Sequence, residues 1–450
     1  MATQATLPPG PKGLPFIGNL LPFRNDPLHF MTAVQQRYGD LVSVRLLHHN
    51  VICGFRPEHV RYCLMEHPRS FHSIQSQGGN LRNLLGEGLL TSEGDFHRQQ
   101  RRLVQPAFHR QRIEQYADTM VNYTLETLEG WQAGCEVDMT SQMQQLTLRI
   151  ILKTMFNIES REQAVTLGRA FNTVIGQAPR RLPGVRGPLA RLIGNTTKEQ
   201  MARFEAGRAQ LDAFVYTLIQ QRHTDEQDQG DILSMLMATH EGDESLSDRQ
   251  IRDQVMTLIA AGHETAQNSL CWTLYLLAQY PGVHEKLLAE LRTVLHGRAP
   301  TTKDLAQLPY LEWVMNESWR VYPPAWRVGR QAIEPIELDG YHFPAGTIVL
   351  LHQWVTHKIP EIWGDPENFR PERWDPTQNQ KVPQGAYFPF GGGPRICIGM
   401  PFAQMEVRLV LATLLQHYNP RLAPNQQIVP LPRVTLRPRY GMRMILQPVS

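Results

Sequence analysis

The spacing of apolar positions changes twice along this chain, and each change marks a different kind of structure. Up to residue 20 there is no periodic apolar run, and Pro8, Pro9, Gly10, Pro11, Gly13, Pro15 and Gly18 predict an extended, helix-free lead-in. From Leu41 to Phe55 apolar and polar residues alternate like a strand pair around His48 to Asn50. Between about residue 95 and 320 the period is mainly helical. After Arg320 the texture becomes short β pieces: Ile336 to Leu338, a turn at Asp339-Gly340, Tyr341 to Phe343, then Thr347 to Leu351. The pattern predicts a mainly α protein with a small β-rich part and no internal repeat.

The clearest helix starts at Ser247, where Ser247 and Gln250 make a capping-box pattern and Leu246 with Ile251 suits a hydrophobic staple, and it runs until Pro281. A helix of about 33 residues is roughly 50 Å long at 1.5 Å per residue. Its middle reads Ala261-Gly262-His263-Glu264-Thr265, which is locally unfavourable, because glycine, an acid and a β-branched hydroxyl all weaken a helix interior. Thr265 is expected to compete for the carbonyl of Ala261, kinking the helix and opening a groove beside Glu264.

At 450 residues the length alone suits two or three domains or one large compact unit. Lys plus Arg total 45 and Asp plus Glu 42, a net charge of +3, which argues against nucleic acid as a partner. The cysteines, Cys53, Cys63, Cys135, Cys271 and Cys397, are scattered singly with no C-x-x-C pair, so they signal neither a disulfide framework nor an iron–sulfur cluster and suit a reducing cytosol. No stretch is apolar enough to span a bilayer and the start lacks a signal-like pattern, so a soluble cytoplasmic protein is expected. The charge-dense segment His223 to Asp231 reads as a solvated loop.

The densest chemistry lies from Phe390 to Gly399, Phe-Gly-Gly-Gly-Pro-Arg-Ile-Cys-Ile-Gly. A metal-bound thiolate needs close backbone donors, and glycine lets the backbone pass where a side chain would collide. Gly391, Gly392, Gly393 and Gly399 give that freedom around Cys397, Pro394 stiffens the turn, Arg395 offers a charged fork, and Phe390 supplies an aromatic wall against water. Upstream, Glu317 and Arg320 stand three apart on one helical face, and Phe369-Arg370-Pro371-Glu372-Arg373-Trp374 follows with Arg373 placed to complete a charge network.

In their order and spacing these four motifs resemble those of the cytochromes P-450, the haem-thiolate monooxygenases, over essentially the whole chain, which implies one catalytic domain, 1–450. By that resemblance Cys397 is the axial iron ligand, with Phe390 beside the sulfur and Ala261 and Gly399 against the haem. Glu264 and Thr265 are the proton-delivery pair, and Glu317, Arg320 and Arg373 lock the scaffold on the cysteine side. The family usually shows Trp-x-x-x-Arg near residue 100, where this chain has His97-Arg98-Gln99-Gln100-Arg101; a histidine keeps an N–H donor and loses aromatic area. His97, Arg101, Arg330 and Arg395 are then the expected holders of the haem propionates.

The resemblance implies haem b, O2, a hydrophobic substrate such as a fatty acid, terpenoid or polyketide, and electrons from a separate ferredoxin or flavodoxin/flavin reductase, in a monomeric, bacterial-like enzyme. Two rival readings remain. A peroxide-using or isomerising haem-thiolate enzyme would have no need of the Glu264-Thr265 pair, and a haem sensor or electron carrier would fill both axial positions of the iron, for which His263 is the only histidine on the distal helix. The family position of His263 points away from iron.

The substrate is expected against the apolar loop holding Leu81, Leu84, Leu85, Leu89 and Leu90, with Ala325, Trp326 and Val328, and with Arg82 or Arg327 available to grip a carboxylate. The basic stretch with Arg98, Arg101, Arg102, Arg110 and Arg112 suits an acidic electron donor. Residues 163 to 198 carry Arg169, Arg180, Arg181, Arg186, Arg191 and Lys198 without an acid, broken by Pro179, Pro183, Gly184, Gly187 and Pro188. In the family this region is the lid over the substrate channel.

Overall fold

A computed structural model describes residues 7–76, 80–177, 197–225, 229–237, 246–378 and 381–449. The chain forms two compact units. The first comprises residues 1–74, 313–397 and 430–437, and the second 75–312, 398–429 and 438–450. The strand β1 (Leu41–Leu46) is joined to β2 (His49–Gly54) by a tight turn in which Leu47 adopts φ 58°, so the reversal falls at Leu47-His48, a residue or two earlier than the alternation placed it.

The first unit is built on a five-stranded sheet to which the chain contributes β1, β2, β3 (Phe71–Ser73), β4 (Val328–Ala332) and β5 (Ile348–Leu351), in the order β1-β2-β5-β4-β3. Only β2 and β5 are parallel; the other neighbours are antiparallel. Alternation sends Val42, Val44, Val51 and Cys53 to one face with Met31, Val34 and Phe55, while Leu41, Ile52, Val349 and Leu351 pack with Leu64, Phe71 and Phe388 on the other. The Ile336–Leu338 and Tyr341–Phe343 hairpin closes through Asp339 (φ 50°) and Gly340 (φ 76°), the left-handed pair that a two-residue turn requires.

The second unit is helical. Its elements include α1 (Asn80–Leu85), α2 (Gly94–Val104), α3 (Met139–Phe156), α4 (Arg161–Gln177), α5 (Lys198–Thr224), α6 (Asp248–Gln279) and, after the cysteine loop, α7 (Met400–His417). Ser247 caps α6 as its sequence predicts, with the Gln250 N–H donating to Ser247 Oγ and the Ser247 N–H donating to Gln250 Oε1. The helix is 32 residues long and most of it is buried, with α3 laid along it. Gly262 explains part of that closeness: a Cβ there would sit 2.7 Å from Ile151 Cδ1 of α3.

Two expectations change here. The segment His223 to Asp231 is not simply solvated: His223 lies in the last turn of α5 and pairs with Asp248, and Asp231 is buried, accepting from Arg222 Nη2 at 2.5 Å. Of the basic 163–198 region, Arg169 and Lys198 lie in α4 and α5, whereas Arg180, Arg181, Arg186 and Arg191 lie outside the described residues. Among the described residues no helix is long and apolar enough to cross a membrane.

Candidate active site

In the first unit the cysteine loop is fastened from both ends. Cys397 donates its backbone N–H to the Phe390 carbonyl at 3.0 Å, the Gly391 N–H closes on Phe388 O at 2.9 Å, and Ile396 N–H on Gly393 O at 3.0 Å. Gly391 and Gly393 hold φ of 75° and 64°, values that a side chain opposes. At Gly393 a Cβ would also fall 1.7 Å from the carbonyl oxygen of Leu64, so the loop lies directly on the backbone of residues 62–66. Phe390 meets Trp319 edge to face, with ring centroids 5.0 Å apart.

The thiols differ by environment. Cys53 and Cys63 are buried among apolar side chains, which pushes each thiol up to about 12, and Cys271 is raised for the same reason. Cys397 and Cys135 are the exposed ones, and only Cys397 sits in a glycine loop; Cys135 faces Gln132 on a surface turn. A loop that holds one exposed cysteine on a rigid, glycine-lined backbone fits a thiolate ligand.

Beneath the loop lies the charge network. Glu317, fully buried, accepts from Arg320 Nη2 and Nε at 2.8 and 2.9 Å, from Arg373 Nε at 3.1 Å, from Trp374 Nε1 at 2.9 Å and from the Arg370 backbone at 3.1 Å. Arg320 continues to the carbonyls of His357, Pro366 and Asn368. His357 then accepts the Phe388 N–H on Nε2 at 3.1 Å, two residues before Phe390. Burial and the Arg320 charge press the His357 pKa down to about 3, so it is a neutral acceptor. Sequence reasoning missed His357; a lone histidine carries no signal without the fold.

Also in the first unit, Arg330 is buried on β4, paired across to Val349 and Ser73, and Arg395 is half-buried. Ala325 and Val328 are half-buried. Trp326 departs from the pocket-lining expectation: its ring belongs to a core cluster with Leu28 and Leu436, and its indole N–H donates to the Arg433 carbonyl at 3.0 Å. Arg327 lies over the Trp326 and Phe23 rings, 4.6 and 5.5 Å from their centroids.

In the second unit, α6 carries the other half of the chemistry. Thr265 Oγ1 donates to the Ala261 carbonyl at 2.8 Å, and the same i→i−4 bond recurs from Thr257, Ser269 and Thr273. The expected competition is present, but α6 runs unbroken from Asp248 to Gln279, so the hydroxyls share carbonyls with the helix ladder instead of opening it. Ala261 is exposed, flanked by half-buried Ala260, Gly262 and Thr265, in a helix whose other exposed residues lie only at its ends, so the small side chains leave the middle of the helix open on one side. Glu264 is buried at 7 % exposure.

His263 is turned into the protein. Its Nδ1 donates to the Ile259 carbonyl at 2.7 Å, its ring lies tilted against that of Phe171 with centroids 5.0 Å apart, and burial lowers its pKa to about 4. It is thus committed to the helix packing and does not suit an axial ligand. His97 is buried in α2 and Arg101 is half-buried one turn later on the same face. Among the other basic residues nearby, Arg98 pairs with Asp95, Arg110 with Glu114, and Arg112 donates to the Gly230 carbonyl. Leu84, Leu85 and Leu89 are buried, while Arg82 is engaged by Glu87 and the Ser76 carbonyl. Gly399 caps α7, its carbonyl receiving the Ala403 N–H at 2.9 Å.

The first unit thus holds a cysteine in a glycine loop over a buried Glu-Arg-Arg network, and the second a long helix with an acid–threonine pair; the class of protein, a haem-thiolate oxygenase, follows from the family match. The chain matches the cytochrome P450 family over residues 8–443 and belongs to it. It is 35% identical to the cyclooctatin synthase of Streptomyces melanosporofaciens over 97% of this chain and 95% of that protein, and 34% identical to the cyclooctat-9-en-7-ol 5-monooxygenase of the same organism over 92% and 89%. The pentalenene oxygenase of Streptomyces avermitilis is 31% identical over 97% and 96%. Among solved structures, retinoic acid bound cyanobacterial CYP120A1 superposes with a TM-score of 0.87 at 29% identity, covering 99% of this chain and all of that one. The protein is an oxidoreductase, a monooxygenase acting on hydrophobic molecules with a haem-thiolate cofactor, O2 and a redox partner.

Proposed function

We propose that this protein hydroxylates or epoxidises a neutral cyclic terpenoid, with haem b bound through Cys397. The observation that carries the substrate reading is the state of the two arginines best placed to choose a charged guest. Arg82 is paired with Glu87, and Arg327 lies over two aromatic rings, so among the described residues each of these two cations is already engaged, which favours a neutral guest over a carboxylate. The relatives' names, a cyclooctat-9-en-7-ol monooxygenase and a pentalenene oxygenase, favour the same class.

Each residue then has a role. Arg330 and Arg395, with His97 and Arg101, hold the propionates; Phe390 and the Trp319 edge keep water from the sulfur; Ala261 and Gly399 give the ring room. Thr265 Oγ1, whose proton is occupied by the Ala261 carbonyl, accepts a hydrogen bond from water and holds it in place, and Glu264 passes protons to that water. When bound, the haem supplies O2 activation, helped by electron donation from a thiolate ligand. Ala325 and Val328 complete the substrate side, without Trp326. A ferredoxin or flavodoxin/flavin reductase supplies the electrons, and the enzyme acts as a cytoplasmic monomer.

Titrating the purified enzyme with a neutral cyclic terpene alcohol and with a fatty acid of similar size tests the reading. The low-to-high-spin change in the haem spectrum should saturate with the terpenoid at concentrations at least ten times lower. Tighter binding of the fatty acid would overturn the neutral-substrate assignment.

A further inference from the structure

The first two turns of α6 carry a set of buried polar side chains that the chemistry above does not use. Arg252 and Asp253 are 6 % and 4 % exposed, and Gln254 is buried beside them. Arg252 divides its guanidinium between two carboxylates: Nε donates to Asp212 of α5 at 2.8 Å, joined by a shorter Nη2 contact, and Nη1 donates to Asp253 Oδ1 at 2.8 Å. The other oxygen of Asp253 accepts the backbone N–H of Glu87 at 2.8 Å, and Gln254 Oε1 accepts that of Leu89 at 3.1 Å.

The loop is shaped to receive these groups. At Gly86, with φ 63°, a Cβ would lie 2.1 Å from Asp253 Oδ2, and at Gly88 it would lie 2.1 Å from Thr257 Oγ1. Thr91 stitches the loop to itself through the carbonyls of Gly86 and Gly88. The loop that carries the leucines therefore rests on side chains of α6 through two backbone amides, and one of the two acceptors is oriented by an arginine that α5 also holds.

We propose that Arg252 is a positioning residue that couples α5 to the Gly86–Leu90 loop, the Asp212–Arg252–Asp253 relay fixing the carboxylate that anchors Glu87. Arg252 has a preferred orientation because its planar fork meets a carboxylate on each side. With Asp212 neutral, the fork loses one anchor, the Asp253 carboxylate loses its fixed aim, and the Glu87 amide loses its acceptor for a larger share of the time. Movement of α5 is thereby transmitted to the loop, alongside the hydrogen bond that Arg208 of α5 donates to the Asn83 carbonyl at 3.5 Å just before the loop. The link to ligand entry rests on the reading that Leu84, Leu85 and Leu89 face the substrate; the coupling does not.

Hydrogen exchange on the holoenzyme reads the relay directly. Asp212→Asn, which preserves shape, should speed exchange of the Glu87 and Leu89 amides about tenfold or more while the Leu270 amide deep in α6 keeps its rate. Asp253→Asn should do the same, and the double variant should show little beyond Asp253→Asn alone, because both changes cut one path. Unchanged loop exchange in Asp212→Asn, equal acceleration at Leu270, or full additivity in the double variant would each overturn the coupling. Dissociation of 4-phenylimidazole, followed in the haem spectrum, separates the two readings: faster release in Asp212→Asn supports both, whereas altered exchange with unchanged release keeps the relay and removes the leucine loop from the ligand's path.

Discussion

Arg320 faces Glu317 through two parallel hydrogen bonds, Nη2 to Oε1 at 2.8 Å and Nε to Oε2 at 2.9 Å, one turn apart on the Pro309–Val321 helix and both completely buried. An ion pair at this spacing on a surface would stabilise by only about 0.3–0.5 kcal/mol. Here Arg373, Trp374 and the Arg370 amide saturate the same carboxylate, and Arg320 ends on three carbonyls, so each charge has replaced water with fixed partners. The pair's value lies in geometry: through His357 it sets the backbone that leads into the cysteine loop.

Removing Glu317 strands two buried arginines. Glu317→Ala should cost about 3–5 kcal/mol and yield haem-poor or insoluble protein. Denaturant unfolding and the haem-to-protein absorbance ratio measure it, and a stable, haem-replete variant would show that the network is dispensable.

As the proposed iron ligand, Cys397 should set the spectrum. The ferrous–carbonyl complex should show the strongly red-shifted Soret band of thiolate ligation, and Cys397→His should move it to the position of a histidine-bound haem. A histidine-like band in the freshly reduced wild-type protein would sink the ligand assignment.

Thr265→Ala leaves the Ala261 carbonyl with its ladder partner and installs a better helix former, so folding should change by less than about 1 kcal/mol. Haem content and ligand binding should persist while product formed per reductant consumed falls severalfold. Unchanged coupling would remove the hydroxyl from proton delivery.

Buried titrating groups give stability two opposed pH dependences. His263, His352 and His357 are held neutral, at about 4, 3 and 3, because burial penalises their charged forms. The unfolded chain binds protons at these sites first, so their contribution is fully present above about pH 6.5 and is lost as pH falls toward 4. Glu406 is the reverse: buried in α7 with neither carboxylate oxygen partnered among the described residues, it is raised well above the carboxylate range by desolvation and keeps its proton. Unfolding releases that proton above about pH 4.5, so this group costs more stability as pH rises. Glu406→Gln should therefore stabilise the protein more at pH 8 than at pH 5, measured as denaturation midpoints; an equal gain at both would mean that Glu406 is ionised in the fold.

The sequence by itself determined the parts whose cause is local. Ser247 and Gln250 mark the start of α6 because a capping box needs only four residues, Asp339-Gly340 marks a hairpin because its turn needs two left-handed positions, and the glycines around Cys397 mark a loop where side chains cannot pass. Tertiary structure decided what a polar side chain does once water is excluded. Arg82 and Arg327 look like available cations in sequence, yet a carboxylate from its own loop and two aromatic rings engage them. Trp326 reads as pocket lining but fills a core with Leu28 and Leu436, which are distant in the chain. His357, Arg252 and Glu406 carry no motif at all. Their roles come from acceptors and apolar walls supplied by residues that only folding brings near, and the cost of burying an unpartnered charge makes those contacts decisive.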